Sequence, residues 1–126
     1  MEFVEYNAHP KSLFVKDCVV RAVCTTFKKD YMETRKELNR AKRKLGYKSY
    51  KDTRFLYDYL KDYKRLKFKA VKGFPRIKVY DFMLMHPHGT YLLKLAGHVT
   101  TCINGDCFDN WDCTYLTVYT AWEIKK

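Results

Sequence analysis

Apolar side chains recur at helical spacing through the first half of the chain and alternate with polar ones through the second. From Cys18 to about Phe27, the positions Val19, Val20, Val23 and Phe27 follow a helical period. Asp17 reads as the N-cap of this helix, which sets Cys18 in its first turn. A longer helix follows. Asp30-Tyr31-Met32-Glu33 reads as a capping box, and Tyr31, Thr34, Leu38, Ala41 and Leu45 line one face up to a stop at Gly46. Thr53 to Tyr59 predicts a third, shorter helix, with Phe55, Leu56, Tyr59 and Leu60 inward and Asp52 as its cap.

After Lys64 the period changes. Leu66, Phe68 and Ala70 alternate with Lys67 and Lys69 as in a half-exposed strand, which Gly73-Phe74-Pro75 breaks. Val79 to Met85 predicts a short helix ended by Pro87 and Gly89. Four strands are then expected, at Thr90–Leu95, His98–Ile103, Asp106–Asn110 and Leu116–Trp122. Residues 1–16 read as irregular, with a turn at His9-Pro10. Helices first and antiparallel strands last imply an α+β fold, with the N-terminal helices packed on one face of a C-terminal antiparallel sheet. No linker or repeat interrupts the pattern, so residues 1–126 are expected to form one domain with a single core.

Composition narrows the class. Apolar residues make up 47% of the chain, enough for a packed core and well above the disordered range. No apolar run approaches the ~20 residues of a membrane span. Met1-Glu2-Phe3-Val4-Glu5 lacks the layout of a secretion signal, so a cytoplasmic location is expected, with no membrane partner. In that setting Cys18, Cys24, Cys102, Cys107 and Cys113 are expected to be free thiols.

Charge is unevenly distributed. Nineteen of the 25 Lys and Arg residues but only six of the 14 acids lie between Lys28 and Lys78, so this stretch carries +13 and the remainder −2. Lys36, Arg40, Arg43 and Lys44 occupy the outer face of the second helix. Such a face either keeps the protein in solution or docks an acidic partner, a nucleic acid or an acidic host protein.

The near-neutral ends carry the candidate chemistry. A thiol at a helix N-terminus, here Cys18, feels the positive end of the helix dipole, which favours thiolate. Asn104-Gly105 predicts a two-residue type I′ turn pairing Ile103 with Asp106, Cys102 with Cys107, Thr100 with Asp109 and His98 with Trp111. Alternation then puts His98 and Asp109 on one face as diagonal neighbours, with Asp112 the second choice of acid. A thiol, an imidazole and a carboxylate are the parts of a nucleophilic triad.

Asp17-Cys18-Val19-Val20-Arg21-Ala22, Gly97-His98-Val99 and Gly105 followed by Asp109-Asn110-Trp111-Asp112 together resemble a group of small phage-encoded papain-like cysteine peptidase domains. More distantly they are similar to the bacteriocin-processing peptidases of ABC exporters. The resemblance runs from about residue 7 to 122 and implies a papain-like fold. It also implies Cys18 as nucleophile, His98 as general base, Asp109 as third member and the cytoplasm of a bacterial host as the setting. It departs from the pattern at one point: the family's glutamine before the cysteine is missing, and Asn7 is the sole side-chain amide there, beside the Cys18 backbone N–H, for an oxyanion hole.

These readings predict a cysteine peptidase, or a related thiol acyl-transfer enzyme such as a deamidase or transglutaminase, acting on a peptide or protein substrate with no cofactor and no metal. The other reading is an inactive papain-like scaffold that binds through its basic face. Zinc held by His98 with Cys102, Cys107 and Cys113 is disfavoured, since the cysteine spacing matches no zinc knuckle or ribbon. His86-Pro87-His88-Gly89 reads as a loop. Tyr47, Tyr50, Phe55, Tyr57, Tyr59 and Tyr63, interleaved with lysines, are divided between core packing and base stacking.

Overall fold

In the computed structural model, which describes residues 1–124, four helices enclose a six-stranded sheet. The elements in chain order are β1 (Phe3–Glu5), α1 (Cys18–Phe27), α2 (Tyr31–Leu45), α3 (Phe55–Tyr59), β2 (Lys64–Lys67), α4 (Val79–Met85), β3 (Thr90–Leu95), β4 (His98–Ile103), β5 (Asp106–Asp109) and β6 (Val118–Ile124). The α+β class therefore holds.

α2 forms because its ends are tied as well as its face being apolar. Asp30 accepts from the Glu33 backbone N–H, and Gly46, at φ 86°, closes the last turn. Tyr31, Thr34 and Leu38 are buried on α1, whereas Leu45 runs out of the interface and is exposed. α3 starts two residues later than the sequence suggests. Asp52 does not cap it but holds the Arg54 guanidinium instead.

The sheet order is β1-β5-β4-β3-β6-β2. All neighbours are antiparallel except β1 and β5, so the sheet is mixed rather than purely antiparallel. β1 falls in the stretch expected to be irregular. Three residues are too few to show a period, and the strand exists because its backbone completes the open edge of β5. β2 ends at Lys67 and β5 at Asp109, while β6 runs from Val118 to Ile124, displaced two residues from the predicted strand.

Helices cover both faces of the sheet, not one. Leu92, Val99 and Trp122 pack with α1, α2 and α3, while Tyr91, Leu93, Leu95 and Cys102 pack with Val79, Phe82 and Met83 of α4. The single expected core is thus two apolar layers with the sheet between them. This explains why Tyr91-Leu92-Leu93 reads as a continuous apolar run: both faces of β3 are covered. α1 is fixed on its face by polar contacts too, Thr26 Oγ1 to Thr101 Oγ1 (3.0 Å) and Thr101 Oγ1 donating to the Ala22 carbonyl (3.1 Å).

The hairpin joining β4 to β5 has the predicted register next to the turn, although β5 ends at Asp109 and the expected His98–Trp111 pair is not part of the ladder. Asn104 and Gly105 take φ values of 49° and 80°, as a type I′ turn requires, and Cys102 faces Cys107. Gly105 also admits Pro87, whose Cα would lie 3.3 Å from a Cβ at that position. The turn thereby sets where Asp109 stands relative to His98.

Candidate active site

Cys18 is the first residue of α1, half-buried, at the edge of a cleft of about 460 Å³. Asp17 precedes it at the N-cap position but makes no capping hydrogen bond. Its carboxylate accepts instead from Arg21 Nε (2.6 Å) and from the Tyr31 hydroxyl (2.7 Å). A buried guanidinium one turn on is a stronger partner for a carboxylate than a backbone N–H. The first-turn N–H groups of α1 are left without a carboxylate cap.

His98 opens β4 directly after the turn at Gly97, and its ring lines the same cleft as the Cys18 thiol, near enough for the two charges to interact. Its Nε2 is 2.7 Å from Asp109 Oδ2, the diagonal contact predicted from strand register. Trp111 lies over the imidazole, with ring centroids 4.7 Å apart. Asp112 is turned to solvent, where it accepts from the Thr114 backbone N–H and hydroxyl.

Asp109 is itself almost fully buried, and four donors converge on it. Besides His98, Arg21 Nη1 donates to Oδ1 at 2.8 Å, the Asn110 backbone N–H to Oδ1 at 2.7 Å, and Cys113 Sγ to Oδ2 at 3.4 Å. Arg21 therefore links Asp17 to Asp109 from the same helix that carries Cys18. Sequence reasoning gave Arg21 no role, although one signal was present: an arginine one turn from Cys18, on the buried side of an amphipathic helix, needs a carboxylate.

These contacts polarise the site. Burial works against an ionised Cys18, but the His98 contact and charge, the Val99 backbone N–H and Arg21 outweigh it and bring the thiol below its usual range. His98 is pushed up to about 11: burial opposes its charge, and the Asp109 bond, with Cys113 and Cys18, overcomes that. Asp109 falls to about 2, its burial more than offset by the bond to His98. Cys24 moves the opposite way to Cys18, raised by burial, as do Cys107 through its contact with Cys102 and Cys113 through its contact with Cys107. The arrangement favours a thiolate–imidazolium pair at Cys18 and His98 over neutral partners.

The predicted oxyanion donor is not supported. Asn7 is absent from the cleft wall, because its amide closes a local loop: Nδ2 donates to the Leu13 carbonyl (3.0 Å) and Oδ1 accepts from the His9 backbone N–H (3.0 Å). The backbone N–H of Cys18, at the start of α1, is the donor that remains from the sequence reading. Further cleft-lining residues that the sequence did not single out include Lys16, Lys51 and Lys94.

Among the described residues, one trio of possible metal ligands stands together: His98, Asp109 and Cys113, with donor atoms within 4.8 Å of one another. Their atoms already satisfy one another, since Asp109 Oδ2 accepts from both His98 and Cys113. Cys102 is not part of the trio, so the four-residue zinc grouping does not assemble.

The basic residues Lys36, Arg40, Arg43 and Lys44 are exposed on α2, and none is in an ion pair among the described residues. Most of the aromatic set is committed to core packing, while the half-buried Tyr50 lines the cleft. Phe55 is fully buried with Tyr59 stacked on it at 5.3 Å, Tyr63 packs on Phe27 and Tyr57 on Trp122. No helix among the described residues is long and apolar enough to cross a membrane. Comparison with protein families, with curated proteins and with solved structures gives no match.

Proposed function

We propose that this protein is a thiol-dependent hydrolase of the cysteine-peptidase type, using Cys18, His98 and Asp109 on an amide substrate. One observation carries the reading: a half-buried helix-N-terminal thiol lies in a cleft beside an imidazole whose far nitrogen is 2.7 Å from a buried carboxylate. The Cys18 thiolate attacks the carbonyl carbon, forming a C–S bond while the carbonyl electrons move to oxygen. Backbone N–H groups at the start of α1 meet that oxyanion. When the intermediate collapses the C–N bond breaks, and His98 gives its proton to the departing amine. Water, deprotonated by His98, then releases the acyl group. Asp109 stays ionised throughout and keeps the imidazolium in place. Deamidation of a side-chain amide follows the same steps, with ammonia as leaving group. A papain-like ancestry and a phage protein working in a bacterial host belong to this proposal.

Iodoacetamide at neutral pH tests it. Cys18 should be alkylated first among the five cysteines, and His98→Ala should slow that labelling, because the thiol loses the imidazolium that favours thiolate. Digestion of a peptide library should be lost in Cys18→Ala with the fold retained. Equal labelling of Cys18 in native and denatured protein would remove the proposal.

A second reading rests on the exposed cations Lys36, Arg40, Arg43 and Lys44 of α2, which make no ion pair among the described residues. On that reading the chain binds a nucleic acid or acidic host protein through Lys36, Arg40, Arg43 and Lys44. Binding should weaken steeply with salt and disappear when Lys36, Arg40 and Arg43 are replaced together by Gln. Retained binding in that variant rules out this face.

A further inference from the structure

The wall of the cleft is unevenly charged. Lys16, Lys51 and Lys94 all line it, and its one aspartate, Asp52, is already held by Arg54 through Nε (3.2 Å) and Nη2 (3.0 Å). Lys94 differs from the other two lysines. It rises from β3 and is only partly exposed, with Nζ donating to the Leu95 carbonyl at 3.1 Å. An ammonium has three N–H donors, and no carboxylate pairs with this one among the described residues. Burial pulls its proton affinity down, and the nearness of the Cys18 sulfur pulls it back up. A cation on the same cleft wall as Cys18, partly desolvated and without a carboxylate partner, is suited to an anion arriving with the substrate.

We propose that Lys94 seats a carboxylate of the substrate close to the carbonyl that Cys18 attacks, so that the cleft selects acidic substrates. This rests on the thiol-enzyme reading. Lys16 and Lys51, exposed at the cleft wall, add a weaker, salt-screened attraction. Lys94 is thereby a specificity residue and takes no part in bond making.

Two alkylating reagents of similar size and shape separate the charge effect from reactivity. In each, the thiolate sulfur attacks the methylene carbon, a C–S bond forms, and iodide leaves with the C–I electron pair. Iodoacetate carries a carboxylate next to that carbon, and iodoacetamide does not. The measurement is the ratio of the two rates at Cys18, followed by peptide mass mapping, so that any general change in the nucleophile cancels. In the natural protein this ratio should exceed that of a small free thiol. Lys94→Gln should lower it about five-fold, the effect of one partly screened charge nearby. Lys94→Met, which keeps the apolar stem, should do the same and serves if Lys94→Gln does not fold, while Lys94→Arg should preserve the ratio. If Cys18 reacts rapidly with iodoacetamide and neither neutral variant moves the ratio, the Lys94 assignment is overturned and the thiol enzyme stands. If Cys18 reacts no faster than the other cysteines with either reagent, the thiol-enzyme reading fails and takes this one with it.

Discussion

Asp109→Asn is the substitution that reads the site most directly. The carboxylate is buried and accepts from His98 Nε2 at 2.7 Å and from Arg21 Nη1 at 2.8 Å. Asparagine keeps the shape, but its amide nitrogen must face one of these donors. Either arrangement loses a charge-assisted hydrogen bond, a cost of about 1.5–3 kcal/mol. Where the loss falls on protonated His98, it lowers the proton affinity of the ring by roughly 1–2 pH units. His98 should then titrate below its value in the natural protein.

The assay is an NMR titration of the His98 ring. In the natural protein its resonance should stay at the imidazolium position well past 6.5, the ordinary histidine value. Stability follows the same groups. The His98 contribution is fully present below 6.5 and is lost as pH rises through about 11. In Asp109→Asn that alkaline loss should begin earlier. A ring that titrates near 6.5 in the natural protein refutes the coupling between these two residues, and so does a ring that Asp109→Asn leaves unmoved, because the variant removes the carboxylate charge whichever way its amide turns.

Arg21→Met should destabilise the fold by about 3–5 kcal/mol in urea unfolding, because it strips a partner from the buried carboxylates Asp17 and Asp109 at once. A loss below about 1 kcal/mol would mean the guanidinium bridge contributes little. Gly105→Ala should cost about 1–2 kcal/mol in a thermal melt, since alanine is strained at φ 80° and its Cβ would press on Pro87. It should also slow Cys18 alkylation by shifting the hairpin that carries Asp109, and an unchanged rate would separate turn geometry from the site.

Much of the local structure was legible in the residues themselves, because the forces behind it act over a few positions. The period of α1 and α2, the stop at Gly46 and the span of α4 are set by side chains within one or two turns. The Asn104-Gly105 turn was equally local, and two-residue alternation from it was enough to bring Asp109, rather than Asp112, against His98. What the sequence by itself determined is therefore an α+β chain with a helix-N-terminal thiol and a hairpin-paired imidazole and carboxylate.

Only the tertiary structure decided which groups far apart in sequence share one site. It turned Asp17 from a helix cap into a partner of Arg21 and Tyr31, joined Arg21 to Asp109 across 88 positions, and tied up Asn7 in its own loop. It brought Lys94 to the cleft and α4 to the second face of the sheet. These outcomes depend on competition for partners in a low-dielectric interior, where a charge takes the strongest counter-charge that packing brings near. No window of the chain contains that competition, because its contestants meet only after the sheet has formed.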